Sequence, residues 1–388
     1  SEDVTVFTGE EVQITFESNV VGGQASFALQ VPAGLMQAQS GMNMTEVEPG
    51  KYEGTWIVPE NFPLDEIAIL VSIADSEGLS TSEIANGKVF IEQPSVERIS
   101  GTTRFDTAVS ISQEGWTEAE TVILARSDDY ADALAGVPLA YALDAPILLT
   151  RPTNLPDETL DEIMRIGAEK VIVLGGEGAI SSDIVAQLEE AGLNVERISG
   201  STRTATAVEI AKRLAPEGTD KAIVVNGFDF PDALSVASQA AILGMPILLT
   251  QANALSEATA EALADLGVTE TIVVGGKSVV SDDVMSQLPN AERVSGSDRV
   301  ETNIAVQNYF NVDARHIYVA TGNNFADSLT GAVLAAKNNS SILLVRNSLF
   351  DVTKDFITEN NIKRITIFGG TTAVNEQIEA DLNYLLLE

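Results

Sequence analysis

One seven-residue motif occurs three times in this chain and divides most of it into three copies of one unit. The copies share the pattern Arg-Ile/Val-Ser-Gly-x-x-Arg and lie at Arg98–Arg104, Arg197–Arg203 and Arg293–Arg299, so the steps between them are 99 and 96 residues. Solenoid and propeller repeats are only about 20–50 residues long. Each unit is therefore long enough to form a domain with its own hydrophobic core.

Three further landmarks follow each copy of the motif in the same order. They are an Asp-containing tetrapeptide, an Ile-Leu-Leu segment and a Gly-Gly pair, at 131–134, 146–150 and 175–176 in the first copy, at 231–234, 246–250 and 275–276 in the second, and at 326–329, 341–345 and 369–370 in the third. This order predicts repeat units over residues 94–193, 194–289 and 290–388, after an amino-terminal domain of residues 1–93.

Each repeat has the pattern of an α/β domain. In the first repeat the apolar runs 121–125, 147–149 and 171–174 are typical of strands that are covered on both faces. Helical patterns separate these runs, among them a predicted helix from Ala131 to Leu143 that residues 127–130 would cap. The alternation predicts a small, four-stranded, Rossmann-like parallel sheet.

The junctions between repeats leave little room for a linker. The segment 195–198 follows the last helix of the first repeat at once, and we expect it to open the second repeat as a strand. Short junctions predict that the three repeats pack into one pseudo-threefold body.

Residues 1–93 lack the repeat and have a different pattern. Alternating polar and apolar residues, with Gly and Pro between the runs, predict about seven short strands in a β-sandwich. The phrase from Gly50 to Pro59, followed by 74–78, resembles bacterial immunoglobulin-like domains of surface proteins. We expect Tyr52 and Trp56 to belong to the core of this domain rather than to a ligand platform.

Composition excludes several kinds of chemistry. The chain has no cysteine and a single histidine, His316, so disulfides, thiolate nucleophiles, Cys- or His-rich zinc sites and an ordinary Ser-His-Asp triad are not expected. The net charge of −35 makes nucleic acid a poor partner. No apolar run reaches the roughly 18 residues of a membrane span.

The four landmarks in three tandem copies resemble the cell wall binding repeat 2 family, over about three quarters of the chain. The resemblance implies a secreted protein that is held non-covalently on a Gram-positive or related cell surface by an anionic wall polymer. It also implies that three Rossmann-like repeats form an intramolecular trimer. Family members carry a further module with a variable role, and the immunoglobulin-like domain would fill that place, with a protein partner of its own.

The six arginines that flank the motif permit two interpretations. A guanidinium can bind a carboxylate or phosphate bidentately, which favours one anion site for the wall polymer in each repeat. Each arginine could instead pair with a carboxylate of its own or a neighbouring repeat, and the aspartates of the Asp-containing tetrapeptides are the candidates. The arginines are Arg98, Arg104, Arg197, Arg203, Arg293 and Arg299, and the aspartates are Asp132, Asp232 and Asp327.

The aspartates and the Gly-Gly pairs also have two interpretations. Each aspartate follows a strand, where α/β sheets bind ligands, but it could simply stabilise the first turn of a helix. The pairs could cradle a phosphate, yet they lack a dinucleotide fingerprint, so we expect no cofactor and assign them to tight turns. The pairs are Gly175 and Gly176, Gly275 and Gly276, and Gly369 and Gly370.

Calcium is a weaker possibility at residues 127–129, because the corresponding residues of the other repeats lose carboxylates. We therefore expect no metal site.

Three classes of function remain for this chain. The first is a non-enzymatic surface protein that binds an anionic wall polysaccharide. The second is a surface-layer or adhesion protein whose repeats mediate assembly. The third, an enzyme acting on wall glycan, is disfavoured because three similar copies suit binding better than catalysis.

Overall fold

The polypeptide folds into two units, Ser1–Ser95 and Val96–Glu388, in a computed structural model. The structure describes residues 3–30, 41–60, 62–312 and 315–387. No helix among these residues combines the length and the apolar character that crossing a membrane requires.

The first unit is all-β, as its alternating pattern predicts. Its described strands are β1 (Val4–Phe7), β2 (Glu11–Glu17), β3 (Gln24–Gln30), β4 (Met42–Glu48), β5 (Lys51–Ile57), β6 (Glu66–Ala74) and β7 (Ser80–Glu92). They form one hydrogen-bonded order, β1-β7-β6-β3-β4-β5-β2, in which β1 is parallel to β7 and the other neighbours are antiparallel. The resemblance to an immunoglobulin-like sandwich stays a prediction.

The core of the first unit contains both aromatic residues singled out in the sequence. Tyr52 is 1% exposed and Trp56 is 4% exposed. The Tyr52 hydroxyl donates to the Val20 carbonyl at 2.9 Å and accepts from the Gly23 N–H at 3.0 Å, so its polar end is satisfied inside the core. The prediction that these rings belong to the core is confirmed.

The second unit consists of strands and helices that alternate through all three repeats. The first repeat contains β8 (Ser95–Ile99), α1 (Arg104–Gly115), β9 (Thr121–Arg126), α2 (Gly136–Ala142), β10 (Ile147–Thr150), α3 (Asp157–Arg165), β11 (Lys170–Leu174) and α4 (Ser182–Glu190). The second contains β12 (Asn194–Ile198), α5 (Arg203–Leu214), β13 (Lys221–Asn226), α6 (Pro231–Ile242), β14 (Ile247–Thr250), α7 (Glu257–Asp265), β15 (Glu270–Val274) and α8 (Asp282–Met285). The third contains β16 (Ala291–Val294), α9 (Arg299–Tyr309), β17 (His316–Thr321), α10 (Ala326–Lys337), β18 (Ile342–Val345), α11 (Asp351–Glu359), β19 (Arg364–Phe368) and α12 (Glu376–Leu386).

These strands form three four-stranded sheets with one shared order. The orders are β10-β9-β11-β12, β14-β13-β15-β16 and β18-β17-β19-β8. The first two sheets are parallel throughout, and β17 is parallel to both β18 and β19. The central strands are buried on both faces, which explains their continuous apolar runs.

The strand that begins each repeat belongs to a different sheet from the one expected. β12 and β16 each complete the sheet of the preceding repeat, and β8, at the start of the first repeat, completes the sheet of the third. The prediction that segment 195–198 forms a strand is confirmed by β12, but this strand completes the sheet of the first repeat and not a sheet of the second. Because the first strand closes the last sheet, the three repeats are joined in a ring, and the repeat boundaries drawn at 194 and 290 stay a prediction.

The predicted helix from Ala131 to Leu143 is also wrong at its start. Residues 131–135 form turns, and α2 begins only at Gly136. Pro138 explains the delay, because a proline has no N–H and is tolerated only in the first turn of a helix. A helix that started at Ala131 would hold Pro138 in its interior.

One helix from each repeat packs in the middle of the second unit. These helices are α2, α6 and α10, and all three contact one another. Just before them, the rings of Tyr130, Phe230 and Phe325 also meet, with centroids 5.4, 5.8 and 6.2 Å apart. Equivalent elements of the three repeats therefore share one apolar centre.

Candidate functional site

The first arginine of each motif binds the Gly-Gly turn at the end of the neighbouring strand. Its Nη1 donates to the carbonyl oxygen of the first glycine at 2.6–2.7 Å, while the N–H of that glycine donates to the last residue of the arginine's own strand at 2.9–3.0 Å. The pairs are Arg98 with Gly369, Arg197 with Gly175, and Arg293 with Gly275.

The remaining contacts of these three arginines differ. Arg98 forms an ion pair with Glu379 at 2.8 Å, and Arg293 forms one with Asp282 at 3.3 Å, each arginine side chain being 13% exposed. The buried Nη2 of Arg197 has no hydrogen-bond partner within the described part of the chain, and burial lowers the pKa of this guanidinium. The structure thus engages these three arginines in joining strands and turns.

The second arginine of each motif begins a helix and reaches the loop after the first central strand of its own repeat. Its Nη1 donates to a backbone carbonyl there, in the pairs Arg104 with Ser127, Arg203 with Gly227 at 2.8 Å, and Arg299 with Gly322 at 2.7 Å. One of the two interpretations was that these arginines pair with carboxylates, and the described residues show no ion pair or hydrogen bond between them and the candidates Asp132, Asp232 and Asp327. Each arginine holds a backbone carbonyl instead, and Arg299 also forms an ion pair at 3.9 Å with Asp229 of the neighbouring repeat, a pairing that this interpretation allows.

The first residue of each Gly-Gly pair needs to be glycine, because its φ is positive and an aspartate carboxylate lies where a Cβ would stand. Gly175, Gly275 and Gly369 have φ of +101°, +119° and +101°, which disfavours any side chain. A Cβ on Gly175 would lie 2.6 Å from the Asp132 carboxylate, and one on Gly275 would lie 2.5 Å from that of Asp232. Asp327 lies against Gly369 in the same way.

The second glycine of each pair has no such constraint. Gly176, Gly276 and Gly370 have no positive φ, and a Cβ on any of them would meet nothing within 4 Å. In these turns it is therefore the first glycine whose positive φ and close neighbour disfavour a side chain, while the second glycine has neither constraint.

The three aspartates sit in similar but unequal surroundings. Asp232 and Asp327 lie in the first turns of α6 and α10, as expected for carboxylates that stabilise a helix dipole, whereas Asp132 precedes α2. Burial raises the pKa of Asp232 to about 6, and Asp229 contributes in the same direction. Burial also raises the pKa of Asp327, against the opposing effect of Arg104.

Clefts open at the carboxyl ends of the sheets. In each cleft, the strand ends of one repeat lie beside the second motif arginine, which follows the strand that completes their sheet. The larger one, about 430 Å³, lies between Arg104 and the ends of β17, β18 and β19, with Asp327 and Arg346 in its lining. A smaller one, about 140 Å³, lies between Arg299 and the residues after β13 and β15, with Asp232 in its lining. Ligands of open α/β sheets bind at this edge, so the clefts are the candidate sites.

Several residues of these sites were not singled out from the sequence. A threonine seven residues after the first serine of each motif accepts a hydrogen bond from the motif glycine N–H at 3.0–3.1 Å, namely Thr107, Thr206 and Thr302. Their presence in all three copies was the available signal. Arg346 and Asn347 in the larger cleft had no such signal, because the second repeat has Gln251 and Ala252 at the matching positions.

The Ser127–Asp129 segment has its own hydrogen-bonding partners. Arg126 binds both oxygens of Asp128, at 2.7 and 3.0 Å, and holds the pKa of that carboxyl below its usual range. Asp129 accepts from the Ala131 N–H at 3.0 Å. Both carboxylates therefore have hydrogen-bonding partners within the protein.

The chain has relatives among characterised and solved proteins. It is 36% identical over 289 residues to the N-acetylmuramoyl-L-alanine amidase LytC of Bacillus subtilis, and 33% identical over 321 residues to an amidase enhancer of the same strain. These matches cover 74% and 81% of this chain, but the chain spans only 58% and 44% of the length of those relatives.

Two solved structures share its fold. Cwp8 from Clostridium difficile matches with a TM-score of 0.70 at 28% identity, over 84% of this chain and 60% of that one. Cwp6 from the same organism matches with a TM-score of 0.68 at 24% identity, over 95% of this chain and 65% of that one.

The repeats themselves match one family. The sequence profile of cell wall binding domain 2 (CWB2) matches residues 98–185, 197–285 and 293–379, once in each repeat. These matches take in all six motif arginines and the three aspartates Asp132, Asp232 and Asp327. The chain therefore belongs to the cell wall binding domain 2 family, of which it carries three tandem copies.

Proposed function

We propose that this protein is a non-enzymatic surface protein that attaches to the cell wall by binding an anionic wall polysaccharide in the clefts at the sheet ends. One observation carries the proposal. The same edge of each sheet brings together the strand ends of one repeat and the arginine that begins α1, α5 or α9. A chain-like polymer with repeated charges suits a set of similar sites better than a single small ligand does.

The proposed arrangement of the repeats is a pseudo-threefold intramolecular trimer of Rossmann-like domains. The mutual contacts of α2, α6 and α10 support it, and so does the cluster of Tyr130, Phe230 and Phe325. The closing of the third sheet by β8 supports it as well, because a closed ring of three repeats leaves no repeat at an open end. The amino-terminal domain, with its resemblance to immunoglobulin-like domains, would be displayed for a partner of its own.

Electrostatics limits how the polymer can bind. The chain carries a net charge of −35, so a polyanion must reach local cationic positions against an overall repulsion. Exposed charges interact less as salt rises, with a screening length of about 10 Å at 0.1 M. The affinity for the wall should therefore depend on ionic strength, with an optimum set by repulsion on one side and local attraction on the other.

Binding rather than catalysis also agrees with the contacts of the site. The motif arginines hold backbone carbonyls, and the cleft aspartates lie against glycines. The amidase named among the relatives is a longer protein of which this chain covers about half, so we propose only the wall attachment for this chain.

The test is co-sedimentation of the full chain with purified cell walls, before and after chemical removal of their anionic polymer. We expect binding to native walls, loss of binding to stripped walls and competition by the released polymer in solution. A chain that binds stripped walls as well as native ones would overturn the polymer assignment. A chain that binds neither at any ionic strength would overturn wall attachment.

A further inference from the structure

The clefts at the sheet ends differ in charge. The cleft at which the ring of repeats closes lies between Arg104, from the start of the second unit, and the ends of β17, β18 and β19; we call it the closure cleft. Its lining contains two arginines, Arg104 and Arg346, and one carboxyl, Asp327. The cleft at Arg299 has one arginine in its lining and three carboxyls, Asp229, Asp232 and Asp298.

We propose that the closure cleft is the main anion site of the protein and that it binds one anionic oxygen group, a phosphodiester or a carboxylate, through Arg346 and Arg104. The assignment rests on the proposed function for its biological ligand, the charged unit of the wall polymer. The cleft at Arg299 then adds a weaker contact along the same polymer.

Arg346 is the first reason for this choice. Its side chain is exposed at the mouth of the cleft, and it has no ion pair, hydrogen bond or aromatic contact within residues 3–30, 41–60, 62–312 and 315–387. The matching residue of the first repeat, Arg151, lies 4.5 Å from the centroid of the Phe105 ring and donates to Asn154 at 3.4 Å. The matching residue of the second repeat is Gln251, which has no charge. Arg346 is thus the cation in this position that keeps its donors for a ligand.

The second reason is the neutral polar lining of the closure cleft. Where the first repeat has Asp128 and Asp129 after its central strand, the third has Asn323 and Asn324. Amides can donate to an anion, whereas carboxylates repel it. A third amide, Asn347, is held by two neighbours, since Asn323 donates to its side-chain oxygen at 3.3 Å and Asn375 donates to its carbonyl at 3.0 Å. The lining is therefore organised around donors rather than around negative charge.

One carboxyl remains in the lining of the closure cleft, that of Asp327. Asp327 is packed against Gly369, and burial raises the pKa of its carboxyl, against the opposing effect of Arg104. With two arginines and one carboxyl in its lining, the cleft is locally cationic in a strongly acidic protein. A guanidinium pair of this kind recognises phosphate and carboxylate oxygens through the same forked geometry.

Matched variants at one structural position test the inference. Arg346→Gln introduces the residue that the second repeat already has, and Arg151→Gln removes the same charge from the first repeat. We expect Arg346→Gln to reduce the affinity of the full chain for native walls at least about tenfold, the equivalent of about 1.4 kcal/mol, and Arg151→Gln to change it less than about twofold. Unchanged thermal unfolding of Arg346→Gln, whose side chain is exposed, serves as the folding control.

Two results with these variants overturn the inference while the proposed function stands. One is wall binding by Arg346→Gln at the wild-type affinity. The other is an equal loss in both variants, which would make the clefts equivalent.

A second measurement needs no wall at all and separates the two possible ligand groups. Dimethyl phosphate and acetate are titrated into the full chain while the arginine Nε–Hε signals are followed by NMR. We expect saturable shifts of the Arg346 and Arg104 signals and smaller shifts of Arg299, and the probe with the larger effect identifies the preferred anion. Equal shifts of all arginines, or none at Arg346, would overturn the site even if the chain binds walls. If the wild-type chain fails to bind walls, the proposed function fails and this titration alone decides the anion site.

Discussion

Arg98 donates a hydrogen bond to the carbonyl oxygen of Gly369, 271 residues further along the chain, at 2.6 Å. The same guanidinium forms an ion pair with Glu379. The equivalent bonds of Arg197 and Arg293 span only 22 and 18 residues, since their glycines lie in the immediately preceding strand–turn segment. The same arginine–glycine hydrogen bond is thus local at Arg197 and Arg293, but it is a long-range contact at Arg98, where β8 completes the third sheet.

The long-range bonds of Arg98 predict a specific loss of stability. Arg98→Ala removes two bonds of a largely buried guanidinium and leaves the Gly369 carbonyl and Glu379 without it. We expect the free energy of unfolding of the second unit to fall by about 1.5–3 kcal/mol. Urea unfolding measures the loss, with Arg346→Ala as the control on an exposed arginine. Similar curves for both variants would mean that the closing contact contributes little.

The paired glycines offer an internally matched comparison. Gly175→Ala places a Cβ at a φ of +101° and against Asp132, whereas Gly176→Ala meets nothing within 4 Å. We expect the first change to destabilise the second unit by about 1–3 kcal/mol and the second change to alter stability by less than about 0.5 kcal/mol. Thermal unfolding of the two variants compares them directly. The account of the Gly-Gly pair is wrong if Gly176→Ala is the more damaging change.

Asp232 should make the free energy of unfolding of the second unit depend on pH. Burial raises its folded pKa from an ordinary 3.8 to about 6, so the folded state holds a proton that the unfolded state releases. Stability from this group is therefore present at low pH, decreases as pH rises from about 4 to about 6, and stays reduced above that range.

Asp232→Asn should remove this loss of stability at higher pH. We expect the variant to exceed the wild type in free energy of unfolding by about 1–3 kcal/mol at pH 7.5 and to lose that advantage at pH 4. Denaturant unfolding of both proteins at several pH values measures the difference. A difference that is constant with pH would show that the carboxyl is not strained by burial.

The contacts among the rings of Tyr130, Phe230 and Phe325 predict that removal of one ring destabilises all three repeats. Phe325 is 7% exposed and contacts both Tyr130 and Phe230, whereas Phe228 is 53% exposed. We expect Phe325→Ala to cost about 3–5 kcal/mol in the unfolding of the second unit and Phe228→Ala about 1 kcal/mol or less, the latter through its contact with Arg203. Differential scanning calorimetry checks both values. Independent melting of separate repeats in Phe325→Ala would support the shared centre further, and a wild-type transition in that variant would contradict it.

Much of the fold was predictable because it depends on local patterns that occur three times. Continuous apolar runs mark strands such as β9 and β11, and alternation marks the strands of the first unit. The start of α2 was missed although its cause, Pro138, was visible in the sequence. The partner of β8 could not be predicted, because a strand's pattern specifies burial and not which of three similar sheets it joins.

The site was less predictable than the fold. The arginines stood out by repetition, but their partners are backbone carbonyls such as that of Gly227, and every residue offers one. Arg346 has no counterpart of the same charge in the second repeat, so repetition hid it. Only the closed ring brings it into one cleft with Arg104, which precedes it by more than two repeat lengths.

The central claim is that the wall polymer binds at the carboxyl ends of the sheets, and amide hydrogen exchange of the full chain with and without purified polymer tests it most directly. We predict slower exchange on binding in segments 101–104, 321–327, 346–347 and 370–375, which contain the residues lining the closure cleft, with smaller effects at the cleft beside Arg299. Protection confined to the first unit, or to the opposite sheet edge around Glu118–Glu120, would contradict the account.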